Sequence, residues 1–159
     1  MDIVLGASFV SKFQADDDDA LILPQNVAAY GGRAKLRYKN LYLDGEYILK
    51  EQDPSSDNGK IYNYGHAAVF NLSYTQKGLG ILVSGKSVDN MSYRSDRNKD
   101  LQDVFINYLP SLNKTHTYNL VATLYPYATQ PLGEVAFQTD VLYTFKKGTT
   151  LGGKYGTTI

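Results

Sequence analysis

Four consecutive carboxylates, Asp16, Asp17, Asp18 and Asp19, are the densest set of ligand-type side chains in the sequence. Clustered carboxylates suit a hard cation, but sequence neighbours cannot all converge on one ion, and the spaced D-x-D-x-D-G calcium loop is missing. A solvated acidic loop accounts for the run. The two histidines, His66 and His116, have no second ligand at metal-binding spacing. No serine lies in a G-x-S-x-G setting; a hydrolase on a barrel rim would need a pair such as His66 with Ser73 or Ser84. The glycine groups Gly78, Gly80, Gly85 and Gly148, Gly152, Gly153, Gly156 precede no helical pattern, so turns and crowded walls explain them better than a phosphate cradle. These patterns give no catalytic residue, no metal site and no cofactor, and the protein reads as a non-enzyme.

A second group of candidates is charged without being catalytic. DNMSYRSDRNKD, residues 89–100, mixes Arg94, Arg97 and Lys99 with Asp89, Asp96 and Asp100. It reads first as a solvated loop, and second as a segment folded inward to form a constriction or touch a ligand. Elsewhere Arg33, Lys35, Arg37, Asp44, Glu46, Lys86, Glu134, Asp140 and Lys154 sit within segments of strict alternation. They are the candidate lining of a polar interior. Arg33, Lys35 and Arg37 lie across a hairpin from Asp44 and Glu46, which points to internal salt bridging rather than a ring of one sign.

The elements that position these charges are β-strands. In residues 134–145 Val135, Phe137, Val141, Tyr143 and Phe145 share one face, while Glu134, Gln138, Asp140 and Thr144 share the other. Side chains alternate across a strand, so the segment has one greasy and one polar face. The same reading applies to residues 2–13, 27–38, 41–50, 66–75, 79–86, 103–109, 117–126 and 149–157, nine strands in all. Charges, with Lys12 and Lys50 among them, fall on the less apolar face. Long polar connections near residues 14–25, 52–60, 88–102 and 127–133 alternate with short turns at 39–40, 76–78, 110–114 and 146–148. Tyr38, Tyr74, Tyr108, Tyr143 and Phe145 lie beside the short turns, as in an interfacial aromatic belt. The expected fold is all-β: one antiparallel up-and-down transmembrane barrel, or an open segment of one, over residues 1–159.

Composition bounds the function. Lys plus Arg and Asp plus Glu are each 16, so the chain is formally neutral and offers no basic footprint for nucleic acid. Mean hydropathy is −0.33, which is compatible with barrel strands because half of each faces a polar interior. The 14 tyrosines suit membrane interfaces, and the lack of cysteine excludes disulfides and thiolate metal sites. The pattern begins at Asp2 with no signal peptide ahead of it. An odd strand count together with that start is expected of part of a larger barrel.

Three stretches carry a family resemblance: GKIYNYGHAAVFNLSYTQKGLGILVSGKSVDNMSYRSDR, INYLPSLNKTHTYNLVATLYPYATQPLGEVAFQ and YTFKKGTTLGGKYGT. Over most of residues 40–159 the chain resembles a family of large outer-membrane β-barrel proteins of Bacteroidota, catalogued as a domain of unknown function. The resemblance implies an outer-membrane location and a longer chain, and supplies no catalytic residues. The expected partners are membrane lipid, small solutes or envelope proteins. The leading expectation is a porin-like passive channel or ligand-binding barrel. The alternatives are a structural barrel in an envelope complex, a soluble lipocalin-like barrel with its apolar faces inward, and a rim hydrolase.

Overall fold

A computed structural model describes residues 1–99, 104–107, 130–145 and 150–159. Alternating β-branched, aromatic and polar residues give seven strands: β1 (Asp2–Phe13), β2 (Asn26–Tyr38), β3 (Leu41–Lys50), β4 (Gly65–Gln76), β5 (Leu79–Asp89), β6 (Gly133–Thr144) and β7 (Thr150–Thr158). They form one antiparallel meander in sequence order. The sheet is open, with β1 and β7 as its edges.

Two-residue turns join β2 to β3 and β4 to β5. Lys39 takes a left-handed φ of 50° in the first, and Gly78 a φ of 83° in the second, where a glycine fits without a Cβ penalty. The opposite end carries the long connections, residues 14–25, 51–64 and 90–132.

The described residues form seven strands where nine are expected. β5 pairs with Gly133–Thr144 over its full length, while its other edge holds β4. A strand has two hydrogen-bonding edges, so both edges of β5 are taken. Of the expected strand 103–109, residues 104–107 are described, and they contribute an isolated bridge from Phe105 to Arg94. The expected strand 117–126, with His116, Tyr108 and the 146–148 turn, lies outside the described residues.

The register settles which side chains share a face. One line across the sheet runs Gly6, Arg33, Glu46, Val69, Lys86, Ala136, Thr158. Asp2, Lys12, Arg33, Lys35, Arg37, Asp44, Glu46, Lys50, Lys86, Glu134, Asp140 and Lys154 all fall on this face. Among charged strand residues only Asp89, at the long-loop end, is on the other. The opposite face is apolar and bare: Leu5 is 76% exposed, Phe9 70% and Tyr155 68%, and the exposure continues inward through Tyr47 and Phe70.

Side-chain burial is concentrated on the charged face. Two small clusters, Val27–Ala29–Tyr93 and Ala67–Val88–Met91 with Ile48 against the second, form where the loop after β5 returns across the strands. Eight buried hydrophobic residues stand beside twelve buried polar or charged ones among the described residues, the reverse of an ordinary core.

Glycine at 65 is required by close approach, because a Cβ there would run into the backbone of Asn90. Gly65→Ala is expected to cost about 1–3 kcal/mol through overpacking. Gly32→Ala, whose Cβ meets nothing within 4 Å, is expected to be neutral or mildly stabilising. Equilibrium unfolding of the two variants checks the seating of the loop.

Candidate functional site: a polar cluster under the long loops

Loops 51–64 and 90–99 fold onto the loop end of the charged face, against residues of β1 to β5, instead of standing in solvent. Met91 and Tyr93, two residues apart, anchor the second loop in the two apolar clusters. The Tyr93 hydroxyl donates to the Val27 carbonyl at 2.8 Å. Asn90 leads out of β5 with a φ of 46°; its side-chain Nδ2 donates to the Asn63 carbonyl at 2.9 Å, and its Oδ1 accepts from Asn58 at 3.1 Å.

Beneath these loops ionic groups are sealed from water. Lys12 Nζ lies 2.7 Å from Asp53 Oδ2, with both side chains almost fully buried. The Lys12 ammonium also sits 5.4 Å from the centre of the Tyr93 ring. Lys50 Nζ donates to the Ser92 carbonyl at 2.7 Å. Arg94 pairs with Asp57 at 2.5 Å and stacks over Phe105 at 3.8 Å, while Ser92 Oγ donates to the same carboxylate at 2.6 Å. Arg97, fully buried, donates to the Pro24 carbonyl at 2.5 Å and to Gln14 at 3.2 Å. Of residues 89–100, the described part to 99 is therefore not simply a solvated loop, since Ser92, Tyr93, Arg94 and Arg97 are buried.

Two titrations in the loops are shifted. Burial pushes the Tyr93 hydroxyl above its ordinary range, helped by the nearby Asp53 charge. The backbone amide of Asn98, with Gln14 adding a hydrogen bond, holds the Asp96 carboxyl below its ordinary range.

The residues singled out from sequence fall in three groups. Arg33 stands opposite Glu46 and Lys35 opposite Asp44, without ion pairs within 4 Å; Arg37 lies over the ring of its partner Tyr42 at 5.8 Å. Lys86 and Glu134 make a buried pair at 2.5 Å, with Gln130 N donating to the other carboxylate oxygen at 2.9 Å. Asp140 and Lys154 pair at 3.2 Å with the lysine half exposed. Asp53, Asp57, Ser55 and Gln14, which complete the loop cluster, carry no signal as isolated residues. The usable signal was Met91 and Tyr93, apolar at spacing two inside a polar stretch.

The other candidates separate. Asp18 accepts from the amides of Ala20 and Leu21 at 3.0 and 3.2 Å, and Asp16 from Leu23 at 3.1 Å, so the acidic run caps its own turns. No group of three metal-ligating side chains forms among the described residues. His66 stacks on Tyr47 on the apolar face, whereas Ser73 and Ser84 lie on the charged face, so the pairing needed for a rim hydrolase is not formed. No helix among the described residues is long and apolar enough to cross a membrane, which says nothing about strands.

The family model for a family of unknown function, DUF6029, matches residues 1–159, and the chain belongs to that family. Comparison with curated proteins and with solved structures finds no match.

Removing one partner of a buried ion pair strands the other. Asp53→Ala is expected to cost about 3–5 kcal/mol, and adding Lys12→Met to recover most of it, as measured by denaturant unfolding. Tyr93 gives a pH signature. Its folded pKa is raised, so its contribution is complete below the ordinary tyrosine value of about 10 and lost as pH rises through the folded value. Tyr93→Phe is expected to flatten the alkaline limb of a melting-temperature profile while lowering stability at neutral pH by about 1–2 kcal/mol, the cost of an unsatisfied Val27 carbonyl.

Proposed function

We propose that this chain forms wall strands of a transmembrane β-barrel in the outer membrane of Bacteroidota, with its apolar face toward lipid and its charged face toward the interior. The observation that carries this reading is the bare apolar face, continuous across seven strands, with all strand charges but Asp89 on the opposite side. A monomeric soluble protein rarely leaves so extended an apolar surface exposed, and a soluble lipocalin-like barrel would bury that face. Three further features support the reading. Long and short connections segregate to opposite ends, as barrel loops and turns do. Tyr38, Tyr74, Tyr143 and Phe145 lie at the short-turn end, where an aromatic girdle belongs. From the cross-sheet line, the last residue of the strand is five positions away on β2, seven on β4 and eight on β6. A steady one-way stagger of this kind is what sheet closure requires.

The activity proposed is passive passage of small solutes or binding of a ligand, without a reaction. Passage is narrowed at the loop end, where residues 51–64 and 90–99 lie against the interior face. The same buried, largely paired charges favour a second reading, a sealed barrel serving as a platform for envelope partners.

Directed to the envelope with a signal peptide, the chain is expected in the detergent-extracted outer-membrane fraction with heat-modifiable mobility. Recovery as a freely soluble monomer would contradict the membrane reading. In planar bilayers discrete conductance supports passage, and silent insertion supports the platform. Leu43→Arg, on the apolar face, is expected to cost about 2–4 kcal/mol of folding stability in bilayers. Ser73→Arg, on the charged face, is expected to stay within about 0.5 kcal/mol.

A further inference from the structure

Among the described residues, the cluster under the loops holds four cations and the two carboxylates paired with them. Its cations are Lys12, Lys50, Arg94 and Arg97, against the carboxylates of Asp53 and Asp57. Lys50 and Arg97 donate to neutral oxygens: the carbonyls of Ser92 and Pro24, and the Gln14 amide. Two further carboxylates at the edge of the cluster, Glu51 and Asp96, are partly exposed and accept from neutral amides. Glu51 accepts from the Ala28 amide at 3.1 Å, and Asp96 accepts from Asn98 at 3.0 Å and Gln14 at 3.1 Å. Burying charge without a counter-ion is strongly disfavoured, and among the described residues Lys50 and Arg97 donate to neutral oxygens alone, a setting that suits a nearby anion.

Hydrogen bonding points the same way, independently of charge. Arg97 Nη1 and Ser55 Oγ are buried with no hydrogen-bond partner, on residues 0% and 2% exposed. The two segments are tied together, with Ser56 N donating to the Arg97 carbonyl at 2.9 Å. Asp53 Oδ1 is a third buried atom without a partner.

We propose that this cluster is a binding site for a small oxyanion, with Arg97 Nη1 and Ser55 Oγ as donors and the Lys50 and Arg97 cations as its electrostatic complement. The planar guanidinium fork suits an oxyanion geometrically. The open acceptor on Asp53 selects an oxyanion that still carries a proton to donate, so inorganic phosphate is favoured over sulfate. The bound anion holds the loops on the sheet, because its ligands come from both loops 51–64 and 90–99. This inference stands apart from the barrel reading, since the cluster is the same whatever surface the apolar face meets.

The test is thermal unfolding of the purified chain with rising inorganic phosphate at constant ionic strength, with sulfate and chloride as matched salts. A saturable rise in melting temperature with phosphate, larger than with sulfate or chloride, is expected. Ser55→Ala removes a hydroxyl that has no protein partner, so the anion-free melting temperature should hold or rise. Its apparent phosphate affinity should fall about tenfold, the loss of one hydrogen bond to a charged group. Equal response to all three salts, or an unchanged phosphate response in Ser55→Ala, overturns the site.

Discussion

Six of the seven strands carry charges, all but Asp89 fall on one face of the sheet, and that segregation constrains the register of those strands. The side-chain period of a strand is two, so a one-residue slip at any ladder would carry one strand's charges to the wrong side. Arg33, Lys35 and Arg37 on β2 make such a slip especially costly, as do Asp44, Glu46 and Lys50 on β3. Their alignment across the ladder sets Arg33 against Glu46 and Lys35 against Asp44, opposite signs that discourage displacement further.

With one face bare, the structure has to find its internal order on the other. It does so with polar groups: Met91 and Tyr93 supply small apolar anchors, and between them run the Lys12–Asp53 and Arg94–Asp57 pairs. Buried pairs of this kind add little net stability against desolvation, but breaking one is expensive. The loops are therefore specified in position more than strongly bound, and the ladder hydrogen bonds carry the sheet. Gly65 makes the fit possible, because the backbone of Asn90 occupies the space that a side chain would need.

Much of the wall was legible in the sequence because alternation is a local signal. Residues 2–13, 41–50 and 134–145 fall within a residue of the strands observed. Segments 103–109 and 117–126 alternate too, but apart from 104–107 they lie outside the described residues, and β5 pairs directly with β6. Pairing partners are decided across the sheet, and alternation in one segment does not encode them. The loop cluster was hidden for a related reason. Arg94 and Arg97 are drawn under cover by Asp57 and by Gln14, far away in sequence, and in isolation they look like any charges in a polar loop. Lys12 likewise meets its partner Asp53 inside a run of turn formers.

The central claim is that the two faces of one sheet meet two different solvents. The chain has no cysteine, so single cysteines placed one at a time along residues 41–50 can each carry a spin label in bilayers. Relaxation by oxygen, which concentrates in lipid, and by a water-soluble nickel chelate should alternate with period two. Labels at 43, 45 and 47 should respond to oxygen and those at 42, 44 and 46 to nickel. Equal nickel access at both sets, or the opposite phase, would contradict a lipid-facing apolar surface.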